Sequence, residues 1–297
     1  MISIGVIAHK KKILGGGLEE LRERLASRGY HDPLWFEASS SREAAKLAKS
    51  AAAQGAQLLL IWGGDGTVQR CVHAVIDADV EIALLPAGTA NLFANNLGIP
   101  IDLKGALDVA FDGDSRRLDV GVMNGKCFTV MAGVGFDAVV MQKVDGKLKK
   151  RFGRLAYVLT AIKAMRVNAR EAKIRVDGAP WFEGRATGVL FGQMNSLAGG
   201  ISVFPAGLPD DGVLEIGVVT AENVRQWTRV IARLVTGSAH RSPFTRMTQG
   251  RHFEVTLNEH TPYELDGGAR APRRKHTVMV RPSAISVRVA RDEAPSA

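Results

Sequence analysis

An apolar run, Leu58-Leu59-Leu60-Ile61, breaks into Trp62-Gly63-Gly64-Asp65-Gly66-Thr67 and then into a helix-like stretch from Val68 to Ile76. A short apolar run bounded by glycines reads as a buried strand. Three glycines, a carboxylate and a hydroxyl therefore stand at a strand-to-helix turn, where open α/β sheets bind their ligands. Glycines let backbone N–H groups approach a phosphate closely, and a helix N-terminus favours negative charge. Asp65 would repel a bare phosphate, so its presence asks for a metal, a proton transfer or a hydroxyl partner.

Around this turn the first third alternates strands and helices. Ile2 to Ile7 reads as a first strand and Leu18 to Leu25 as a helix with Leu18, Leu21 and Leu25 on one face. Trp35-Phe36 lies in a short second strand. Ser40 followed by Glu43 is a capping-box signal for the Ala-rich helix that runs to Ala53. Gln57 to Trp62 and Glu81 to Leu85 are further strands, and Pro100 and Asp102 open a helix reaching Phe111. This alternation predicts a doubly wound, mostly parallel sheet with helices on both faces. A second glycine turn, Pro86-Ala87-Gly88-Thr89-Ala90-Asn91, also follows a strand and precedes a helical stretch, Leu92 to Leu97. Two such turns on one parallel sheet would converge on one ligand.

The pattern changes near Arg117-Leu118-Asp119-Val120, after which strands dominate. Lys173 to Val176 alternates and then turns at Asp177-Gly178. Val213 to Val219, His252 to Leu257, His276 to Val280 and Ile285 to Val289 read as strands, with Phe253, Val255 and Leu257 on one side. Helices are expected near Leu155 to Val167 and Glu222 to Val235. The reading is an α/β domain over residues 1–120, an antiparallel β domain over 121–292 whose last strand returns to the first domain, and a tail over 293–297. The cleft between two such domains is the default place for a site.

A formal charge of +9 over 297 residues favours anionic partners. Cys71 and Cys127 have no metal spacing and read as buried free thiols. No apolar run approaches the ~20 residues of a membrane span, and Lys10-Lys11-Lys12 follows the apolar start, the reverse of the secretory order. A cytoplasmic protein is expected, peripheral at a membrane if the basic group Lys147, Lys149, Lys150, Arg151 and Arg154, ahead of Leu155-Ala156-Tyr157-Val158-Leu159, meets an anionic surface. Arg270, Arg273, Arg274 and Lys275 read as surface charge on a loop. No aromatic-basic interleaving backs a nucleic-acid partner. Exposed strand edges would allow a homodimer.

Taken in order, Gly63-Gly64-Asp65-Gly66-Thr67, Pro86 to Asn91, Asn96-Leu97-Gly98-Ile99-Pro100, Leu118-Asp119-Val120-Gly121, Gly133-Val134-Gly135-Phe136-Asp137, Asp210-Asp211-Gly212-Val213-Leu214 and Leu265-Asp266-Gly267 resemble the diacylglycerol kinase and sphingosine kinase family of lipid kinases, over nearly the whole chain. The resemblance implies ATP- and Mg²⁺-dependent phosphorylation of a lipid hydroxyl, an α/β nucleotide domain and a β-sandwich lipid domain. It implies that Gly63, Gly64, Asp65, Gly66, Thr67, Gly88, Thr89 and Asn91 surround the nucleotide, with Ser39 or Ser40 near the adenosine. On the same pattern Asp211 and the Val213 carbonyl match a structural magnesium site, and Asp119 an acidic position near the catalytic centre.

The chain departs from that family at four places. Many relatives carry a glutamate after Asp-Gly as the proposed general base, and Gly268 stands there instead. Ala8-His9-Lys10-Lys11-Lys12 replaces an asparagine-proline motif, Leu92 an aspartate, and Gln69-Arg70 an acidic position. Asp65 and Asp266 remain as candidate bases. Asp65 is favoured, because the sphingosine kinase branch uses the aspartate of this turn. The rival readings are a lipid- or nucleotide-binding pseudokinase, which Gly268 supports, and an NAD kinase-like phosphotransferase sharing the Gly-Gly-Asp-Gly-Thr turn.

Overall fold

A computed structural model describes residues 2–135, 168–197 and 201–291. The expected helix over 155–167, the basic group at 147–154, Asp137, Met141, Met165 and the 293–297 tail lie outside the described residues. The chain forms two compact units. One runs to Leu118 and regains the chain from Ser283, and the other spans Asp119–Pro282.

In the first unit β1 (Ile4–His9), α1 (Gly17–Ser27), β2 (Leu34–Ala38), α2 (Ser41–Ala53), β3 (Leu58–Gly63), α3 (Asp65–Val75), β4 (Glu81–Pro86), α4 (Leu92–Asn96) and α5 (Leu103–Asp112) follow one another. The strands pair in the order β2-β1-β3-β4, all parallel. Ser286 and Val287 of the last strand pair parallel with Glu81 and Ile82 on the far side of β4. The order reverses at β1, so right-handed crossovers put α1 on one face and α2 and α3 on the other. The contacts agree. Arg28, after α1, forms ion pairs with Asp108 and Asp112 of α5, and Tyr30 stacks on Phe111 at 5.0 Å. On the other face the Ser41 and Thr67 hydroxyls, from α2 and α3, meet at 3.0 Å. This is the doubly wound plan, with β3 buried along its whole length.

Two boundaries shift from expectation. β1 runs on to His9, because Ala8 and His9 still pair with Trp62 and Ala38. α3 begins at Asp65 rather than Val68, with Gly64 in the N-cap position, so Asp65, Gly66 and Thr67 form its first turn.

The second unit is antiparallel. It takes in the end of β5 (Asp114–Met123), then β6 (Lys126–Phe128), β7 (Met131–Val134), β8 (Arg170–Val176), β9 (Ala179–Ala186), β10 (Gly188–Gly192), the two-residue strands β11 (Ser196–Leu197) and β12 (Ile201–Ser202), β13 (Leu214–Val219), α6 (Val224–Val235), β14 (Thr245–Gly250), β15 (His252–Leu265) and β16 (Gly268–Val289). β15 sets the architecture. Its first half pairs with β8, and its end pairs with β7 after a register shift between Thr256 and Tyr263. One layer is therefore β9-β8-β15 and the other β14-β13-β10-β7. Their inner faces share one apolar core, in which Phe191 meets Phe253 edge-on at 5.4 Å. This is the expected sandwich. Asp177 and Gly178, both at positive φ, close the β8–β9 hairpin.

The strands expected over 276–280 and 285–289 are one 22-residue strand. The chain bends at Ser283, whose φ is +48°, without ending the strand. Arg273 and Lys275 consequently stand on a paired strand opposite Thr261 and Thr256, not on a loop. Cys71 and Cys127 are buried and not joined in a disulfide, and burial pushes the Cys71 thiol up to about 12.

Candidate active site

The sheet order places the reversal between β1 and β3. Ligands of doubly wound sheets bind outside the carboxyl ends of the strands at such a switch point. Two loops emerge there, Lys10–Gly16 after β1 and Gly63–Gly66 after β3. Trp62 ties them together: its ring is fully buried, and its indole N–H donates to the Lys12 carbonyl at 3.0 Å. The Lys11 N–H donates to His9 Nδ1, and Glu20 accepts from the Gly16 N–H at 2.6 Å. The loop is thus held at both ends, while Lys10 and Lys11 remain exposed.

The turn after β4 lies against the turn after β3, backbone to backbone. A Cβ added to Gly88 would stand 2.5 Å from the Gly64 Cα, and one added to Gly64 would stand 3.0 Å from the Gly88 Cα. No side chain fits at this crossing. The Ala87 N–H donates to the Gly63 carbonyl at 3.0 Å. Asn91 folds the second turn on itself: at φ +47° its Oδ1 accepts the Gly88 N–H at 2.8 Å, and its Nδ2 donates to the Pro86 and Gly88 carbonyls. Asn91 is therefore buried structure, whereas Thr89 and Gly66 are exposed.

Asp65 joins the two turns. Its Oδ1 accepts the Phe93 N–H at 3.3 Å, and the N–H groups of Leu92 and Asn91 also point at the carboxylate. It sits at the positive end of α4 as well as in the first turn of α3. Burial raises its pKa, and these N–H groups act against the rise. The result is an immobilised, half-buried carboxylate.

The serines serve the start of α2. Glu43 Oε2 accepts from both the Ser39 hydroxyl and the Ser39 N–H, at 2.6 and 2.8 Å, which holds Glu43 below its ordinary range. The Ser40 hydroxyl accepts the Glu43 N–H at 3.2 Å. The capping box thus closes on Ser39 rather than on the cap residue. Thr67 is buried, and its hydroxyl is turned to Ser41, a residue the sequence reading passed over. Its position at the start of α2 was the available signal.

In the second unit Asp119, on β5, is hydrogen-bonded to the loop that carries Asp211. Asp119 is buried. Its Oδ2 accepts the Gly212 N–H at 2.6 Å and its own N–H donates to the Pro209 carbonyl, so it shapes the Asp211-Gly212-Val213 bend. Asp211 is exposed, and its Oδ1 accepts the Val213 N–H at 3.1 Å. Nearby Glu215 is raised by burial, with the Asp211 charge adding to the rise. Gln193 Nε2 donates to the carbonyls of Asp119 and Thr129, which links this loop to the Asp266 turn.

Asp266 is buried and accepts four hydrogen bonds, from Thr129 N and Oγ1, Val130 N and Met131 N. Burial still lifts its carboxyl to about 6. Beside it lies Glu264, which the sequence reading missed. It projects from β15 opposite Gly133, where the lack of a side chain leaves it room: a Cβ on Gly133 would meet Glu264 Oε1 at 3.2 Å. Its Oε2 accepts the Gly267 N–H at 2.7 Å, and its Oε1 is buried without a hydrogen-bond partner. Burial, then the Asp266 charge, pushes it up to about 8. Gly268 faces Arg270, whose Nη1 donates to the Gly268 carbonyl at 2.9 Å.

Two family descriptions match this chain. The diacylglycerol kinase catalytic domain matches residues 11–123, and the YegS C-terminal NAD kinase beta sandwich-like domain matches residues 130–289. A diacylglycerol kinase of Bacillus subtilis is 30% identical over 229 residues, which cover 76% of this chain and 75% of that protein. A probable lipid kinase YegS-like of Pseudomonas fluorescens is 34% identical over 182 residues, 60% of each chain. Among solved structures, a diacylglycerol kinase of Bacillus anthracis superposes with a TM-score of 0.78 at 21% identity, covering 97% of this chain and 96% of that one. An NAD kinase of Archaeoglobus fulgidus in complex with ATP superposes with a TM-score of 0.54 at 13% identity, covering 97% of this chain and 93% of the other, a likeness of fold alone.

Proposed function

This chain belongs to the diacylglycerol kinase family of lipid kinases, and from that premise we propose that it transfers the γ-phosphoryl group of ATP to the hydroxyl of diacylglycerol or a related lipid. The observation that carries the reading is the switch point itself: two glycine turns in backbone contact, beside an exposed lysine loop, at the carboxyl ends of β3 and β4. Phosphoryl transfer is mostly positioning and neutralisation of phosphate charge. Exposed Gly66 and Thr89 border the phosphate positions, and Lys10 and Lys11 supply positive charge where relatives have an asparagine-proline loop. Gly63, Gly64 and Gly88 let the backbone approach. Thr67 and Asn91, both buried, hold the turns in shape, and Ser39, Ser40 and Glu43 fix the start of α2 beside them.

Asp65 is the base in this reading. It is raised by burial and immobilised, the condition of a carboxylate suited to take a hydroxyl proton. Asp266, occupied by four hydrogen bonds, is assigned to holding its turn. Magnesium fits the donor chemistry near Asp211: an exposed carboxylate and the Val213 carbonyl are hard oxygen donors, and a cation would offset the crowding of Asp211 and Glu215. Among the described residues no three His, Cys, Asp or Glu side chains form a metal cage, and the groups that would hold an ion are the Asp211 carboxylate and the Val213 carbonyl. When bound, it neutralises charge.

A second reading, a pseudokinase that binds nucleotide or lipid without turnover, draws on Gly268 and on the capping contacts of Asp65. The test is transfer of label from γ-labelled ATP to hydroxyl lipids in mixed micelles, with NAD as an added acceptor. A labelled lipid is expected. ATP binding with no labelled product favours the pseudokinase, and labelled NADP overturns the lipid assignment.

A further inference from the structure

Glu264 is a buried carboxyl that neither the glycine turns nor the Asp211 loop uses. Its chain neighbours Tyr263 and Leu265 belong to the sandwich core, as do Val189 and Phe191 of β10 and Ile216 and Val218 of β13. Successive residues of a strand face opposite ways. Glu264 therefore projects from the other face of that layer, together with Gly133, Leu190 and Gly217. These four stand in one row: Glu264 opposite Gly133, Gly133 opposite Leu190, and Leu190 opposite Gly217. Two of the four have no side chain. Over Gly133 lie Glu264 Oε1 and Leu190 Cδ2, 3.2 and 3.3 Å from where a Cβ would stand, and Phe204 bounds the row at Gly217, 3.4 Å from the added Cβ there. Glu264 is 1% exposed. Its Oε2 accepts the Gly267 N–H at 2.7 Å, whereas Oε1 has no hydrogen-bond partner among the described residues. Burial and the Asp266 charge keep the acid neutral up to about pH 8, while Arg270, the other charged group facing it among the described residues, acts the opposite way. Because Oε2 accepts, the proton resides on Oε1. That atom is a donor without an acceptor, beside an apolar side chain, and such a buried group is costly until it is paired.

We propose that Glu264 Oε1 donates a hydrogen bond to an ester carbonyl of the acceptor lipid, and so selects acyl glycerols over their alkyl ether counterparts. The ligand must present an acceptor oxygen on an apolar body, which an ester carbonyl at the head of an acyl chain does. An apolar site that keeps a carboxylic acid neutral makes it a donor of this kind. A dialkyl glycerol carries the same free hydroxyl and chains of the same length but no carbonyl, so the two lipids differ in the one group that Glu264 would read. The inference deepens the lipid-kinase reading and rests on it for the ligand. It assigns Glu264 to recognition of the lipid, apart from the proton transfer given to Asp65.

The experiment is calorimetric titration of the full chain with dioctanoylglycerol and with dioctyl glycerol ether in mixed micelles, at about pH 6.5 and about pH 9.5, on either side of the Glu264 titration at about 8. The wild type should hold the ester about tenfold more tightly than the ether at the lower pH. It should lose that preference at the higher pH, where a carboxylate repels a carbonyl oxygen. Glu264→Gln keeps a donor that does not titrate, so its preference should persist at both. Glu264→Leu has similar bulk and no donor, and should bind the two lipids alike. The wild-type pH response and Glu264→Gln decide the matter even where Glu264→Leu folds poorly. Equal affinities in the wild type at the lower pH would overturn the assignment. So would a preference that ignores pH, or one that survives in Glu264→Leu. Phosphorylation of dioctanoylglycerol without an ester preference in binding would overturn it and leave the lipid-kinase reading in place, whereas binding of neither lipid would overturn both.

Discussion

Asp266 and Asp65 each precede a glycine, and nothing in their local sequence tells them apart. Their partners do. Asp266 receives Thr129, Val130 and Met131 from a segment 135 and more residues away, whereas Asp65 spans only from α3 to α4. Such long-range donors are invisible to a local pattern, which is also why Glu264 went unnoticed: alternation along β15 marks it as facing away from the core, not as buried. Glu264 makes a pH prediction. Its carboxyl is held at about 8 against an ordinary 4.5. A raised carboxyl binds its proton more tightly in the folded state, so its contribution is whole below pH 4.5 and lost as pH rises through about 8. Asp266, at about 6, acts in the same direction at lower pH. Glu264→Gln should therefore flatten the fall of melting temperature between about pH 4.5 and about pH 8; parallel profiles for variant and wild type would remove Glu264 as its source. Gly88 makes a second prediction. With the Gly64 Cα 2.5 Å from the added Cβ, Gly88→Ala must move one turn off the other. It should cost about 1–3 kcal/mol of stability and weaken ATP binding about tenfold or more, and calorimetry showing wild-type affinity would separate this crossing from the nucleotide.

At the scale of elements, the caps and periodicities were legible and the bends were not. Asp102 was read as opening a helix, and its Oδ1 accepts the Gly105 N–H at 2.8 Å at the start of α5. Asp102→Ala should lower stability by about 1 kcal/mol, measured by denaturant midpoint with an unchanged slope; no change would mean that α5 is held by its buried Leu103, Ala106 and Leu107 alone. The start of α3 was misplaced because glycine and aspartate are poor helix formers. They enter the helix here because Gly64 takes the cap and the Asp65 charge suits the N-terminal dipole. β16 was split in two because Pro282-Ser283 reads as a break. The structure instead absorbs it in one residue at positive φ. A Cβ added at Gly268 would stand 2.8 Å from the flexible end of Arg270 and 3.2 Å from the Leu265 carbonyl, so Gly268→Glu requires Arg270 to move.

At the scale of the molecule, the alternating first third and the strand-rich remainder announced a doubly wound unit and a β-sandwich. Each unit's plan followed from periodicity, because buried parallel strands and half-buried antiparallel ones bury different faces. Strand order did not follow, since only the pairings reveal the reversal at β1 that singles out the turns after β1 and β3. The candidate site was legible where glycines mark close backbone approach, and hidden where function rests on distant donors, as with Ser41 on Thr67 or Gln193 between Asp119 and Thr129. The central claim is that the Asp65 turn performs phosphoryl transfer in a chain without the relatives' glutamate. Its most direct test is the rate of labelled phosphate transfer from ATP to diacylglycerol by wild type and Asp65→Asn, with ATP affinity measured on both. The account predicts transfer by the wild type, and a variant that binds ATP within a few-fold yet transfers at least ~100-fold more slowly. Equal rates, or a wild type that binds ATP and transfers nothing, would contradict it.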